Sequence, residues 1–254
     1  MAGTAIPRTV RPAGEDPLAR AVWRLRSRAC WEDAAALLAP SAEQDAGAAL
    51  QRAELLIEHC LFTSAGWNRA EEALRSAESL SLSDVERGAA ACARGYLAYA
   101  STRLEVRDRT DEARAALGRA AALLGPGEPG RARLDFRRGL MAQHLSGTPQ
   151  AAEAAYRRAH AEAAAGGDLL LCSATWQQLG TLALLAGDAA AAREAFSESL
   201  RLREETGFLV GIAPALMALA EVQPEEEAGR LRTEAGRLFR LLGEVPRWMA
   251  VQLA

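Results

Sequence analysis

Trp176–Leu200 reads WQQLGTLALLAGDAAAAREAFSESL, and this stretch decides the fold. Trp176, Leu179, Gly180 and Ala183 recur at i, i+3, i+4 and i+7, which places them on one face of a helix. Gly187 ends that helix, and Asp188 is placed to cap the next by accepting from its free backbone N–H groups. The second helix carries its own stripe, Ala192, Ala195, Phe196 and Ser199. Small residues at Gly180, Ala183 and Ala192 let two backbones approach, while Trp176 and Phe196 fill the remaining space. One such pair cannot bury its apolar face alone, so it calls for neighbours of the same kind.

Working outward, those neighbours are present. Second-helix triads comparable to Ala192, Phe196 and Ser199 occur at Ala70/Leu74/Ala77, Ala113/Leu117/Ala120 and Ala152/Tyr156/Ala159. First helices repeat the Gly–Ala approach at Gly95/Ala98 and Gly139/Ala142, whereas Glu58 stands where Gly180 would be expected. Ala34, Ala70, Ala113, Ala152, Ala192 and Ala228 set a period of roughly 40 residues. Ser41-x-x-Gln44 and Ser83-x-x-Glu86 read as capping boxes, and Thr148-Pro149 as an N-cap followed by proline at the first helical position. Pro214 is expected to kink its helix or delay its start to Ala213. Pro224 followed by Glu225–Glu227 opens another helix, its acids at the positive dipole end. Residues 246–253 are expected to cap the stack through Trp248 and Val251.

Composition agrees with helix throughout. The 254 residues are rich in Ala and Leu, all 30 basic residues are Arg, and the net charge is −3. The absence of Lys beside an Ala excess points to a GC-rich bacterial genome. Mixed charges offer no electrostatic reason to expect nucleic acid or an anionic membrane as partner, and no apolar run is long enough to span a bilayer. Cys30, Cys60, Cys92 and Cys172 form no Cys-x-x-Cys and read as reduced, buried thiols of a cytoplasmic protein. Residues 1–14 read as a disordered leader, and 15–254 as one helical-repeat domain.

The spacing Trp176-x-x-Leu179-Gly180-x-x-Ala183, then Ala192-x-x-x-Phe196, resembles the tetratricopeptide repeat. The longer, Ala-rich period and the ending Leu238–Gly243 with Pro246-Arg247-Trp248 are similar to the repeat regions of LuxR/MalT-type and actinobacterial regulators. That resemblance implies an all-α, α-α superhelix: a right-handed solenoid of about six helix pairs plus a C-terminal capping helix.

Catalytic chemistry is not legible. Without Lys no phosphate loop of the G-x-x-x-x-G-K-[ST] form is possible, and Gly125–Gly130 reads as a linker. His59 and Cys60 are helical neighbours pointing about 100° apart, so they do not form a dyad. His144 and His160 stand alone, giving no metal site, and Arg20, Arg24, Arg26 and Arg28 read as a solvated basic face. The expectation is a non-enzymatic scaffold without cofactor, binding a protein or peptide in a concave groove. Groove candidates are His59, Phe62, Tyr96, Tyr99, Phe136, Leu140, Gln177, Thr181 and Leu184. The alternative is a sensory module taking a small ligand or a regulator. Oligomeric state is not encoded in these patterns.

Overall fold

A computed structural model describes residues 16–243 and 245–250, with the side chains of Trp248 and Ala250 outside the description. The expected leader and Val251 also lie outside the described residues. Among those described, the chain is helical throughout: α1 (Pro17–Arg26), α2 (Trp31–Leu38), a 3-10 turn (Ser41–Glu43), α3 (Ala46–Thr63), α4 (Trp67–Leu80), α5 (Asp84–Arg103), α6 (Thr110–Leu123), α7 (Arg131–His144), α8 (Pro149–Ala165), α9 (Leu169–Leu185), α10 (Ala189–Thr206), α11 (Leu209–Ala220), α12 (Glu225–Leu242) and α13 (Arg247–Ala250). Strong packing joins α3 to α4, α5 to α6, α7 to α8, α9 to α10 and α11 to α12. The fold is an all-α solenoid of helix pairs.

The repeated small residues explain the pairing. Ala34, Ala70, Ala113, Ala152, Ala192 and Ala228 are all buried, as are Leu74, Leu117, Tyr156 and Phe196 between them. Three of these large residues face a glycine of the preceding helix: Leu117 lies on Gly95, Tyr156 on Gly139 and Phe196 on Gly180. The missing side chains bring the two backbones close enough for one bulky group to fill the gap.

Helix ends follow local chemistry. Ser83 accepts from the Glu86 amide at 3.2 Å while the Glu86 carboxylate accepts from the Ser83 amide at 2.9 Å, completing the expected capping box. Asp188 accepts from the Ala191 amide at 2.9 Å. The other serine motif behaves differently. The Ser41 carbonyl accepts from the amides of Gln44 and Asp45, closing a 3-10 turn, and Asp45 caps α3 through the Ala48 amide at 2.6 Å. At α8, Pro149 takes the first helical position as expected, but the Thr148 hydroxyl donates to the Ala142 carbonyl instead of capping. α11 begins at Leu209 and runs through Pro214.

Curvature comes from unequal packing on the two sides. First helices stack on one another, α3 on α5 and α5 on α7, with no comparable approach between α4 and α6 or between α6 and α8. The first helices therefore lie on the inside of the bend. From α8 onward, the second helix of each pair packs closely on the next first helix, α8 on α9 and α10 on α11.

The bend brings the two ends together. Val210, at the start of α11, is buried in the same apolar cluster as Trp31, Leu56 and Leu74 from the first pairs. Its amide donates to the Ser27 carbonyl at 2.8 Å. The Trp23 and Phe208 rings lie 5.8 Å apart, and α13 packs against α3. The expected terminal cap is thus a contact between both ends, with Met249 of α13 buried beside Ala235 and Phe239.

Candidate functional site

Paired charges from α1, α3 and α7 meet on the inner face, with Tyr96 and Cys92 of α5 beside them. Arg26 of α1 donates through Nε and Nη2 to Glu58 at 2.9 and 2.6 Å, and the Trp31 indole donates to the same carboxylate at 3.2 Å. One turn earlier, Glu54 accepts from Arg133 at 2.5 Å and from Arg137 at 2.9 Å, tying α3 to α7. The Arg137 guanidinium lies 4.4 Å from the centre of the Tyr96 ring and donates to Cys92 Sγ at 3.4 Å.

Burial costs each of these charges, and the partners offset that cost. Burial alone would raise the Glu54 carboxyl, but Arg133 and Arg137 hold it below the usual carboxylate value. Burial likewise opposes the charge on Arg26, yet Glu58 keeps its pKa above the ordinary guanidinium value. Tyr96, beneath Arg137, is pushed by burial up to about 12. The network is a largely buried polar cluster in which every one of these ions has a partner of opposite sign.

The candidate groove residues divide along the superhelix. His59 is half-buried on α3, with Nδ1 buried and unbonded, 3.7 Å from the Glu32 carboxylate. Phe62 packs into the core with its ring 4.8 Å from that of Trp31. Tyr96 stacks on Tyr99, and the Tyr99 hydroxyl meets His144 Nδ1 at 2.6 Å. Phe136 is half-buried beside Tyr156, whereas Phe62, Tyr99 and Leu140 are buried and present little surface. Gln177, Thr181 and Leu184 are half-exposed on α9. Thr181 donates to the Gln177 carbonyl at 3.0 Å, and Ser199 of α10 lies 3.4 Å from Gln177 Oε1.

The basic face expected on the first helix is not uniformly solvated, because Arg26 turns inward to Glu58 while Arg24 and Arg28 stay exposed. Glu58 accounts for part of this: a charge at a close-packing position of a repeat needs a partner, and Arg26 supplies it. Arg133, Arg137 and Glu54 were the polar residues that sequence reasoning missed. Their signal lay only in falling on first helices of neighbouring units, whose inner faces converge.

Cys60, Cys92 and Cys172 are buried and Cys30 is half-buried, all as free thiols. Burial raises the Cys60 thiol to about 12 and that of Cys172 to about 11, so both are protonated at neutral pH and poor nucleophiles. His160 Nδ1 meets the Thr175 hydroxyl at 2.8 Å, edge-on to Trp176. Among the described residues, no group of three or more His, Cys, Asp or Glu is placed to hold a metal ion, and no helix is long and apolar enough to cross a membrane.

No family model and no curated protein matches the chain. Among solved structures, the chain is similar to BtubC (BKLC) from P. vanneervenii, with a TM-score of 0.52 and 15% identity over 90% of this chain and 92% of that one. At that identity the likeness speaks for the fold alone. The family resemblance drawn from the Trp176–Leu200 spacing is corrected by these findings. No tetratricopeptide family model recognises the chain, and an end-to-end structural likeness is to BtubC, a protein outside that regulator family. The spacing reports how two helices pack, a requirement that any tight helix pair must meet.

Proposed function

We propose that the chain is a non-enzymatic scaffold that binds an amphipathic helix or extended segment of a partner protein on the concave side of α9 and α11. The observation that carries this reading is a contrast in charge along the inner face. α3 and α7 hold the ion-paired network around Glu54, whereas α9 and α11 contain no charged residue at all. Gln177, Thr181 and Leu184 stand half-exposed there, and Leu185 at the end of α9 is 76% exposed. A partly solvated, uncharged helix face with a few hydrogen-bonding groups suits the apolar side of a partner segment. The raised thiols of Cys60 and Cys172 and the internally paired charges support a binding role over a catalytic one.

Photo-crosslinking residues placed at Thr181 and Leu184 test the reading in the native host. A partner captured from both positions, and not from Arg75 on the exposed side of α4, is the expected result. Capture of nothing from α9, or of the same products from Arg75, would overturn it. A second reading, a small ligand enclosed by the superhelix, draws support from the contact between Ser27 and Val210 that joins its ends. A metabolite that raises the melting temperature of the purified chain, with no crosslinked protein, would favour it.

A further inference from the structure

The seam between the ends of the superhelix is built from an unusual segment. Gly207 precedes it with φ +68°, a left-handed conformation that glycine adopts without steric cost. Pro214 follows it inside α11 and has no N–H to donate to the Val210 carbonyl four residues earlier. The intervening turn, Phe208–Ala213, therefore has one backbone hydrogen bond fewer to the rest of its own helix, although α11 is continuous through Pro214. It is also held by contacts to other elements. Val210 N–H donates to the Ser27 carbonyl, the Phe208 ring lies 5.8 Å from Trp23, and Arg203 donates to the Gly211 carbonyl at 2.6 Å. Arg26 sits 5.5 Å from the Phe208 ring centre and 5.8 Å from that of Trp23. Opposite this turn, the α1–α2 connection passes through Ala29 at φ +65°, a left-handed conformation that costs a residue bearing a β-carbon.

We propose that Phe208–Ala213 is a latch: it closes the superhelix by docking on Trp23, Arg26 and Ser27, and it opens as a local unit while the remaining pairs stay folded. Gly207 supplies the hinge, and Pro214 limits how far the opening spreads along α11. Arg26 keeps its bidentate hold on Glu58 in the open form, so release breaks no ion pair, but it costs the ring contacts, the hydrogen bonds of the Val210 amide and the Gly211 carbonyl, and the burial of Val210. A local unit can open below the global unfolding free energy, and Phe208–Ala213 carries no charged side chain that an ion pair could tie to the opposite end. The latch stands or falls separately from any partner on α9.

Native-state hydrogen exchange on the full chain tests it, with the Val210 amide as reporter because its acceptor lies at the opposite end. In wild type, Val210 is expected to exchange at least tenfold faster than the Leu97 and Tyr156 amides, with little dependence on urea. Phe208→Leu should accelerate Val210 further and leave Leu97 and Tyr156 unchanged. Pro214→Ala, which restores a donor for the Val210 carbonyl, should slow it. Val210 exchanging in step with Leu97 and Tyr156 across the urea series would overturn the latch, and the wild-type protein alone gives that answer if a variant fails to fold. Equal acceleration of all three amides by Phe208→Leu would overturn it too.

Discussion

Gly180 lies so close under the ring of Phe196 that a β-carbon added there would stand 2.7 Å from two ring carbons. Phe196 is buried and the Ala195 methyl flanks the same spot at 3.2 Å, so the ring has no free direction in which to retreat. Gly180→Ala should therefore lower stability by about 2 kcal/mol through overpacking, despite the helix propensity it adds. Gly118 makes the opposite case: it is helical, with no atom within 4 Å of its added β-carbon. Gly118→Ala should stabilise by about 0.5–1 kcal/mol. Urea denaturation of both variants checks the pair of signs.

That contact also shows what was legible in the sequence. Gly180 and Phe196 can be read from spacing because the contact is local, set by one turn and two helix periods. The same holds for the alanines from Ala34 to Ala228. The link between Ser27 and Val210 has no local signature, since it depends on small rotations accumulated over every intervening pair. Groove candidates inherited that blindness. Phe62 and Tyr99 sit at concave-looking positions, but Phe62 is buried against Trp31 and Tyr99 against Tyr96 and His144. Gln177 and Thr181 stay partly open because no charged network fills the face at α9.

Two serines with one sequence pattern should respond differently to the same change. Ser83→Ala removes the hydroxyl that accepts from the Glu86 amide and breaks a reciprocal cap, and should cost about 1 kcal/mol. Ser41→Ala removes a hydroxyl that caps nothing and should leave the denaturation midpoint unchanged within error. Asp45→Ala, which removes the actual cap of α3, should match the Ser83 loss.

Glu54 joins α3 to α7 through two arginines, and its removal leaves both without their closest counter-charge. Glu54→Gln should destabilise by about 3 kcal/mol at neutral pH. The pH dependence follows from the lowered carboxyl. The folded chain binds fewer protons at Glu54 than the unfolded chain, so its contribution is complete above the ordinary carboxylate value of about 4.3. It is lost as pH falls through the lowered folded value. The stability gap between wild type and Glu54→Gln should accordingly be constant from pH 7 to 5 and narrow below pH 4. Urea midpoints measured across that range test this, and a gap that widens in acid would contradict the assignment.

Arg203 should separate global stability from local order. It is buried, no carboxylate pairs with it among the described residues, and burial alone lowers its pKa to about 10. Carrying that charge costs the folded state, so Arg203→Met, similar in length and uncharged, should raise overall stability by about 1 kcal/mol or leave it unchanged. The guanidinium nevertheless holds the Gly211 carbonyl, and its stem lies against the glycine that Phe208 covers. Losing that hold should loosen Phe208–Ala213, so Val210 exchange should quicken in a protein that melts no lower. Arg203→Ala should lose on both counts, because it also leaves a cavity beneath Phe208. If Arg203→Met instead lowered stability and slowed Val210 exchange, the guanidinium would be serving the core and not the turn.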